Sequence, residues 1–367
     1  MADHSESRVK RTRVTEIDLL RFLAAVSVLL FHYTFSGYAA ENLSPMPYTP
    51  LAPISKYGWL GIELFFVISG FVILMTAVGR SLRSFVVSRL IRLYPAFWAC
   101  CTITFALILA FGAPRITATV GQYFINMTML AGFVGEPDID GAYWSLYVEM
   151  RFYFLVAVVL ATGRIQQVQT LLLAWLAAVI VLEFIPFGPL RYLLIVEWAT
   201  YFIAGATFYL VWAQGISPMR VCMIVVSWGL ALYQTIKALP VLENHYNASM
   251  SGVIVAAIIS AFYLAMFLIA LNRTGHFGRI NWILVGALTY PLYLLHGNIG
   301  YIFFNIGYPE INPHLLLWST IFVVLCLAYA VHIGIERKFA RPMKIALNRL
   351  LDFLARCMNR RKTHPAE

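Results

Sequence analysis

Ten apolar stretches, each close to the roughly 20 residues that cross a hydrocarbon core of about 30 Å, decide what this chain can become. They run Ile17 to Tyr38, Trp59 to Val78, Leu93 to Gly112, Trp144 to Thr162, Thr170 to Phe187, Tyr192 to Ala213, Val221 to Leu239, Ser251 to Leu271, Trp282 to Phe304, and Leu315 to Ile335. Backbone inside lipid must satisfy its own hydrogen bonds, and apolar segments of this length do so as helices. The expected fold is all-α: an integral membrane protein of about ten transmembrane helices around a polar channel. Charged residues make up only 12% of the chain, about half the share of a soluble domain.

The net charge of +10 would suit a nucleic-acid partner, but its distribution follows a membrane instead. Threading the ten spans with the N-terminus inside leaves most of the 27 Lys and Arg residues on the side of both termini. Lys56, Arg115 and Arg191 fall opposite, while Arg21, Arg151 and Lys237 lie within spans. Retained positive charge marks the cytoplasmic face, so both termini are expected there, in the cytoplasmic (inner) membrane, with the bilayer as partner and no nucleic acid. The expected organisation is a basic tail at 1–16, a transmembrane domain at 17–335 and a second basic tail at 336–367. No cleavable signal is read before the first span, which predicts insertion rather than secretion. The five cysteines show neither a disulfide framework nor metal-ligand spacing, and no metal site is expected. External segments at 37–57, rich in proline, and at 113–143 are the long ones; Tyr123 to Phe133 is too short to span.

Two residues in the first span are costly in lipid: Arg21 and His32. Eleven helical steps separate them, which returns to within about 20° of the starting direction and rises roughly 16 Å, so both occupy one face. An ionisable residue at such a place needs a polar cavity or a partner, and is a functional hypothesis. Depth along the spans places His32, Glu63, Glu149, Arg151, Glu197 and His296 in an outer polar layer. Arg21, His332, Arg89 and Arg92 fall in an inner, cationic one. Arginine forks match phosphate oxygens, and a histidine near a carboxylate exchanges protons around neutral pH. A long donor with a phosphorylated head and a reactive tip fits such a channel, and acyl-coenzyme A has that shape.

Five ordered motifs then carry a resemblance. Arg21 and His32 look like an Arg-x10-His signature, Gly58 to Phe71 (GWLGIELFFVISGF) resembles a second-helix motif, and Arg89 to Pro95 is similar to Arg-x-x-Arg-x-Tyr-Pro. Trp144 to Glu149 resembles Trp-Ser-Leu-x-x-Glu, and Thr289 to His296 a ninth-helix block. Together they resemble the multipass membrane acyltransferases of the acyltransferase-3 group, along most of the chain. Glu63 stands where that group more often has Asp, which keeps the charge and lengthens its reach.

The resemblance implies transfer of an acyl group, most often acetyl, from cytoplasmic acyl-coenzyme A to a hydroxyl of a glycan or other extracytoplasmic or membrane-linked acceptor. Acyl-coenzyme A is then a co-substrate, and no permanently bound cofactor is expected. His32 and Glu63 are the expected catalytic pair, Arg21, Arg89, Arg92 and Tyr94 the donor-binding set, and Trp144, Ser145, Glu149 and His296 the lining. His32 serves either as general base on the acceptor hydroxyl or as transient carrier of the acyl group. Taken singly, Arg21 also reads as an interfacial anchor beside Asp18, Trp144 as an interfacial aromatic and Ser145 as a helix cap. The C-terminal tail is short for a second catalytic domain, so any relay protein is expected to be separate. From a different class, a proton-coupled multipass transporter would also carry intramembrane Glu and His along a polar path.

Overall fold

A computed structural model describes residues 14–185 and 187–363. Residues 1–13 of the predicted N-terminal tail, Pro186 in the fifth predicted span and residues 364–367 of the C-terminal tail lie outside the described residues. Among the described residues the secondary structure is entirely helical. The long helices are α1 (Thr15–Phe31), α2 (Gly61–Ala77), α3 (Leu82–Phe111), α4 (Trp144–Ala161), α5 (Val168–Phe184), α6 (Ala199–Gln214), α7 (Pro218–Tyr246), α8 (Gly252–Ala270), α9 (Ile283–Gly307), α10 (Pro313–Val331) and α11 (Arg337–Thr363).

Local chemistry sets several of these starts. Ser81, Ser217 and Ser251 each accept a hydrogen bond from a backbone N–H three residues on, and Asn312 caps α10 just ahead of Pro313. Eight helical segments among the described residues are long and apolar enough to cross a membrane. The sixth predicted span is shorter than expected. Gly188–Leu193 forms its own helix, Ile195 takes a positive φ of 56°, and α6 begins only at Ala199. At 16 residues α6 reaches about 24 Å, and from Ala199 to Val211 it is buried throughout. The ninth predicted span is the 25-residue α9, whose inward-facing Thr289 and His296 dilute its apolar character. Tyr123 to Phe133 folds as the short helices Val120–Met127 and Ala131–Val134.

Two apolar cores flank the site. One gathers around α2 and α6 through Phe66, Phe71, Phe202 and Phe208, the other around α3 and α9 through Phe97, Leu292, Leu295 and Phe304. α1 runs between them, giving Ala24, Val28 and Phe31 to the first and Ala25, Leu29 and Tyr33 to the second. Small residues let the backbones approach: a Cβ on Gly205 would overlap the Val67 carbonyl and one on Gly70 the Phe202 carbonyl, locking α6 to α2. Gly61 meets the Ala24 carbonyl of α1 in the same way. α1, α2 and α9 thereby converge, and α1 widens into a π-turn at His32–Ser36. Such turns break the regular ladder and frequently mark functional positions.

Candidate active site

His32 opens that π-turn. Its Nδ1 lies 3.0 Å from the Tyr301 hydroxyl, which donates to Glu41 Oε2 at 3.2 Å. Because the Tyr301 proton is committed to the carboxylate, its oxygen accepts from His32 Nδ1–H. The network thus assigns the tautomer and leaves the His32 Nε2 lone pair free. His296 on α9 stands beside it, with ring centroids 5.2 Å apart. There Nδ1–H donates to the Tyr293 carbonyl at 2.7 Å, and Nε2 is buried without a partner.

His32 and Glu63 both face a chamber of about 800 Å³. They share it without a hydrogen bond between them among the described residues. The carboxylate linked to the imidazole is Glu41, acting through Tyr301. The physical reason is position: Glu63 belongs to the first turn of α2, whereas the loop after the π-turn folds Glu41 back over α1, where Ser36 Oγ also donates to it at 2.5 Å. Glu63 Oε2 and the indole N–H of Trp59, one turn earlier, are buried with no partner. Trp144 and Trp198, with centroids 5.4 Å apart, form another wall of the chamber. Its rim carries Glu183, held by Lys237 at 2.8 Å, and Arg191, paired with Glu197 at 3.1 Å.

A smaller cavity, about 60 Å³, adjoins the chamber across Ile62. Arg21, Arg92, Ser69, Ser145, Glu149 and Tyr290 line it. Arg21 Nε is buried there without a hydrogen-bond partner. Arg89 does not line it; its guanidinium lies 5.8 Å from the Phe85 ring centre and 5.9 Å from that of Tyr153. Glu149, expected in the outer layer with His32, belongs to this arginine cavity and accepts from Ser69 Oγ at 2.6 Å. Arg151 parts from it, donating to the Tyr192 carbonyl at 2.9 Å, because residues two apart on a helix face different sides. Tyr94 turns away from Arg21: its hydroxyl donates to the Thr128 carbonyl at 2.9 Å and its ring packs on Trp98. His332 bonds Glu336 at 2.6 Å in the π-turn after α10 and lines neither cavity. Ser145 and Tyr293 stand between the two spaces, 2.7 Å apart, with the Tyr293 hydroxyl donating to the Ala142 carbonyl of the chamber wall at 2.9 Å.

Polar residues at the site that were not singled out from the sequence include Glu41, Asp140, Asn298 and Tyr301, all lining the chamber. Asp140 is fully buried and accepts from the backbone N–H groups of Ala142 at 3.0 Å and Asn298 at 2.7 Å, tying the loop ahead of α4 to α9. Burial pushes its carboxyl up to about 6. Asn298, two residues past His296, was the one legible signal, since an amide in an apolar span needs partners. Glu41 and Tyr301 sat in segments whose contacts only the folded chain reveals.

The chain matches the acyltransferase-domain family over residues 14–334. It is 26% identical to nodulation protein 10 of Rhizobium leguminosarum bv. viciae, over 40% of this chain and 44% of the relative. It is 28% identical to the O-acetyl transferase of Shigella phage Sf6, over 39% of this chain and 45% of the relative. Identity to the peptidoglycan O-acetyltransferase OatA of Listeria monocytogenes serovar 1/2a is 27%, over 41% of this chain and 24% of the relative. The chain thus spans less than half the length of each of these three relatives. No solved structure matches it.

Proposed function

The chain belongs to the acyltransferase-3 family, and from that premise we propose that it is a membrane O-acyltransferase moving an acetyl group from cytoplasmic acetyl-coenzyme A to a hydroxyl of a glycan or lipid-linked saccharide. The observation that carries this reading is the free Nε2 of His32, fixed by Tyr301 and Glu41, in a chamber that adjoins the arginine cavity. Arg21, Arg92 and Arg89 take phosphate oxygens of the donor, which extends its thioester past Ile62 toward His32. His32 Nε2 accepts the acceptor hydroxyl proton as the oxygen attacks the thioester carbonyl. The C–S bond breaks, the C–O bond forms, and the proton passes to the departing thiolate, giving acyl ester and free coenzyme A. Trp59 N–H and the Glu63 carboxyl hold a neighbouring hydroxyl of the acceptor, satisfying two groups otherwise left without partners. Holding both substrates in one passage contributes much of the acceleration.

This reading includes ten helices in the inner membrane, with α6 and α9 completing the eight long apolar segments and both termini cytoplasmic. A proton-coupled carrier shares the polar path but leaves the family match without a role. Purified protein with radiolabelled acetyl-coenzyme A and a panel of glycans tests the choice. His32→Ala should lose turnover at least 100-fold while still binding donor. Arg21→Ala should raise the donor KM about 10- to 100-fold, the worth of a charged hydrogen bond. Normal turnover by both variants, or movement of intact substrate under a proton gradient, would overturn the proposal.

A further inference from the structure

α11 follows α10 without a helical break, through the π-turn His332–Glu336. The 19 residues of α10 span about 28 Å, close to the hydrocarbon thickness, and the 27 of α11 add about 40 Å. That second length is strongly two-faced. Arg337, Lys338, Arg341 and Lys344 cluster on one side, and their side chains have no hydrogen bond or ion pair among the described residues. Phe339, Ala346, Leu350 and Phe353, spaced seven, four and three apart, form an exposed apolar stripe on the other. Over the next two turns, that cationic side is clasped to the start of α3, where Arg83 donates to the Asn348 carbonyl at 2.9 Å and to Asp352 at 2.5 Å.

The stripe runs into a groove of about 800 Å³ between α3, α10 and α11, walled by Trp98, Ala99, Leu327, Val331, Phe339 and Met343. Its lining is almost wholly apolar. We propose that α11 is a lipid-binding element, lying in the interfacial layer of the leaflet where α10 ends. The stripe and groove take acyl chains, and the Arg and Lys face takes the phosphates of anionic phospholipids. Two observations favour this occupant over a protein. Helical continuity with a membrane-spanning segment sets the first residue of the stripe at the bilayer surface, and four cations unpaired among the described residues complement an anionic leaflet. The inference does not depend on the acyl-transfer reading.

Spin labelling of the full chain in nanodiscs tests it, with nitroxides placed by Leu350→Cys or Lys344→Cys after the native cysteines are changed to alanine. In phosphatidylcholine containing phosphatidylglycerol, the label at position 350 should be relaxed by oxygen and shielded from a water-soluble nickel chelate, with the reverse at 344 and a severalfold difference in their ratio. Changing Arg337, Lys338 and Arg341 to glutamine, or omitting phosphatidylglycerol, should shrink that difference. Equal nickel access at both positions would place the helix in water and overturn the proposal. So would shielding of position 350 from both reagents with spin–spin broadening, the sign of a second copy on the stripe, or a contrast indifferent to phosphatidylglycerol.

Discussion

His32 stands at the head of three groups in series: imidazole, phenol and carboxylate. Removing the middle member by Tyr301→Phe leaves the ring in place but frees its tautomer. In steady-state assays kcat should fall about 10-fold with the donor KM unchanged, a modest share of what general-base chemistry supplies. Glu41→Gln should do the same, and the double variant should lose little more than either alone, because groups in one network are not additive. Asp140 bears on stability instead. Burial raises its carboxyl to about 6, and that of Asp138 likewise to about 6 despite a hydrogen bond from Tyr147. Between pH of about 4 and 6 the folded chain therefore holds protons that the unfolded chain has released, so stability falls as pH rises through that window. Thermal unfolding in detergent should show this slope, and Asp140→Asn should flatten it.

At the scale of helices, close backbone approach sets the geometry that the side chains inherit. Gly205 and Gly70 place α6 directly on α2, and Gly61 places α2 on α1, so the distance from Glu63 to the His32 side of the chamber depends on three glycines. Gly205→Val should force α2 and α6 apart at a cost of about 1–3 kcal/mol, read as a lowered unfolding temperature. Gly229→Ala on α7, where an added Cβ meets nothing within 4 Å, should leave that temperature unchanged or raise it slightly. The helical periodicity of α1 was readable in advance, and it put Arg21 and His32 on one face. Its π-turn was not, since no side-chain pattern in residues 32–36 distinguishes a widened turn from a regular one.

Across the whole molecule, two apolar cores flank two polar spaces of different character. The arginine cavity holds Arg21, Arg92 and Glu149, while the chamber gathers Glu41, Glu63, Asp140, Glu183 and Glu197 against Arg191 and Lys237. On the proposed reading, an anionic donor head is favoured in the first space and disfavoured in the second. Apolar segments of membrane-crossing length determined an all-helical membrane protein, because lipid leaves the backbone no other bonding partner. Motif order and the one-face spacing of Arg21 and His32 pointed to acyl transfer from sequence alone. The tertiary structure decided which carboxylate serves which group. Glu41 reaches His32 through Tyr301, Glu63 lines the chamber with its Oε2 buried and unpaired among the described residues, and Glu149 joins the arginines, since such contacts depend on how helices and loops distant in sequence are brought together, and no periodicity along a single helix encodes that.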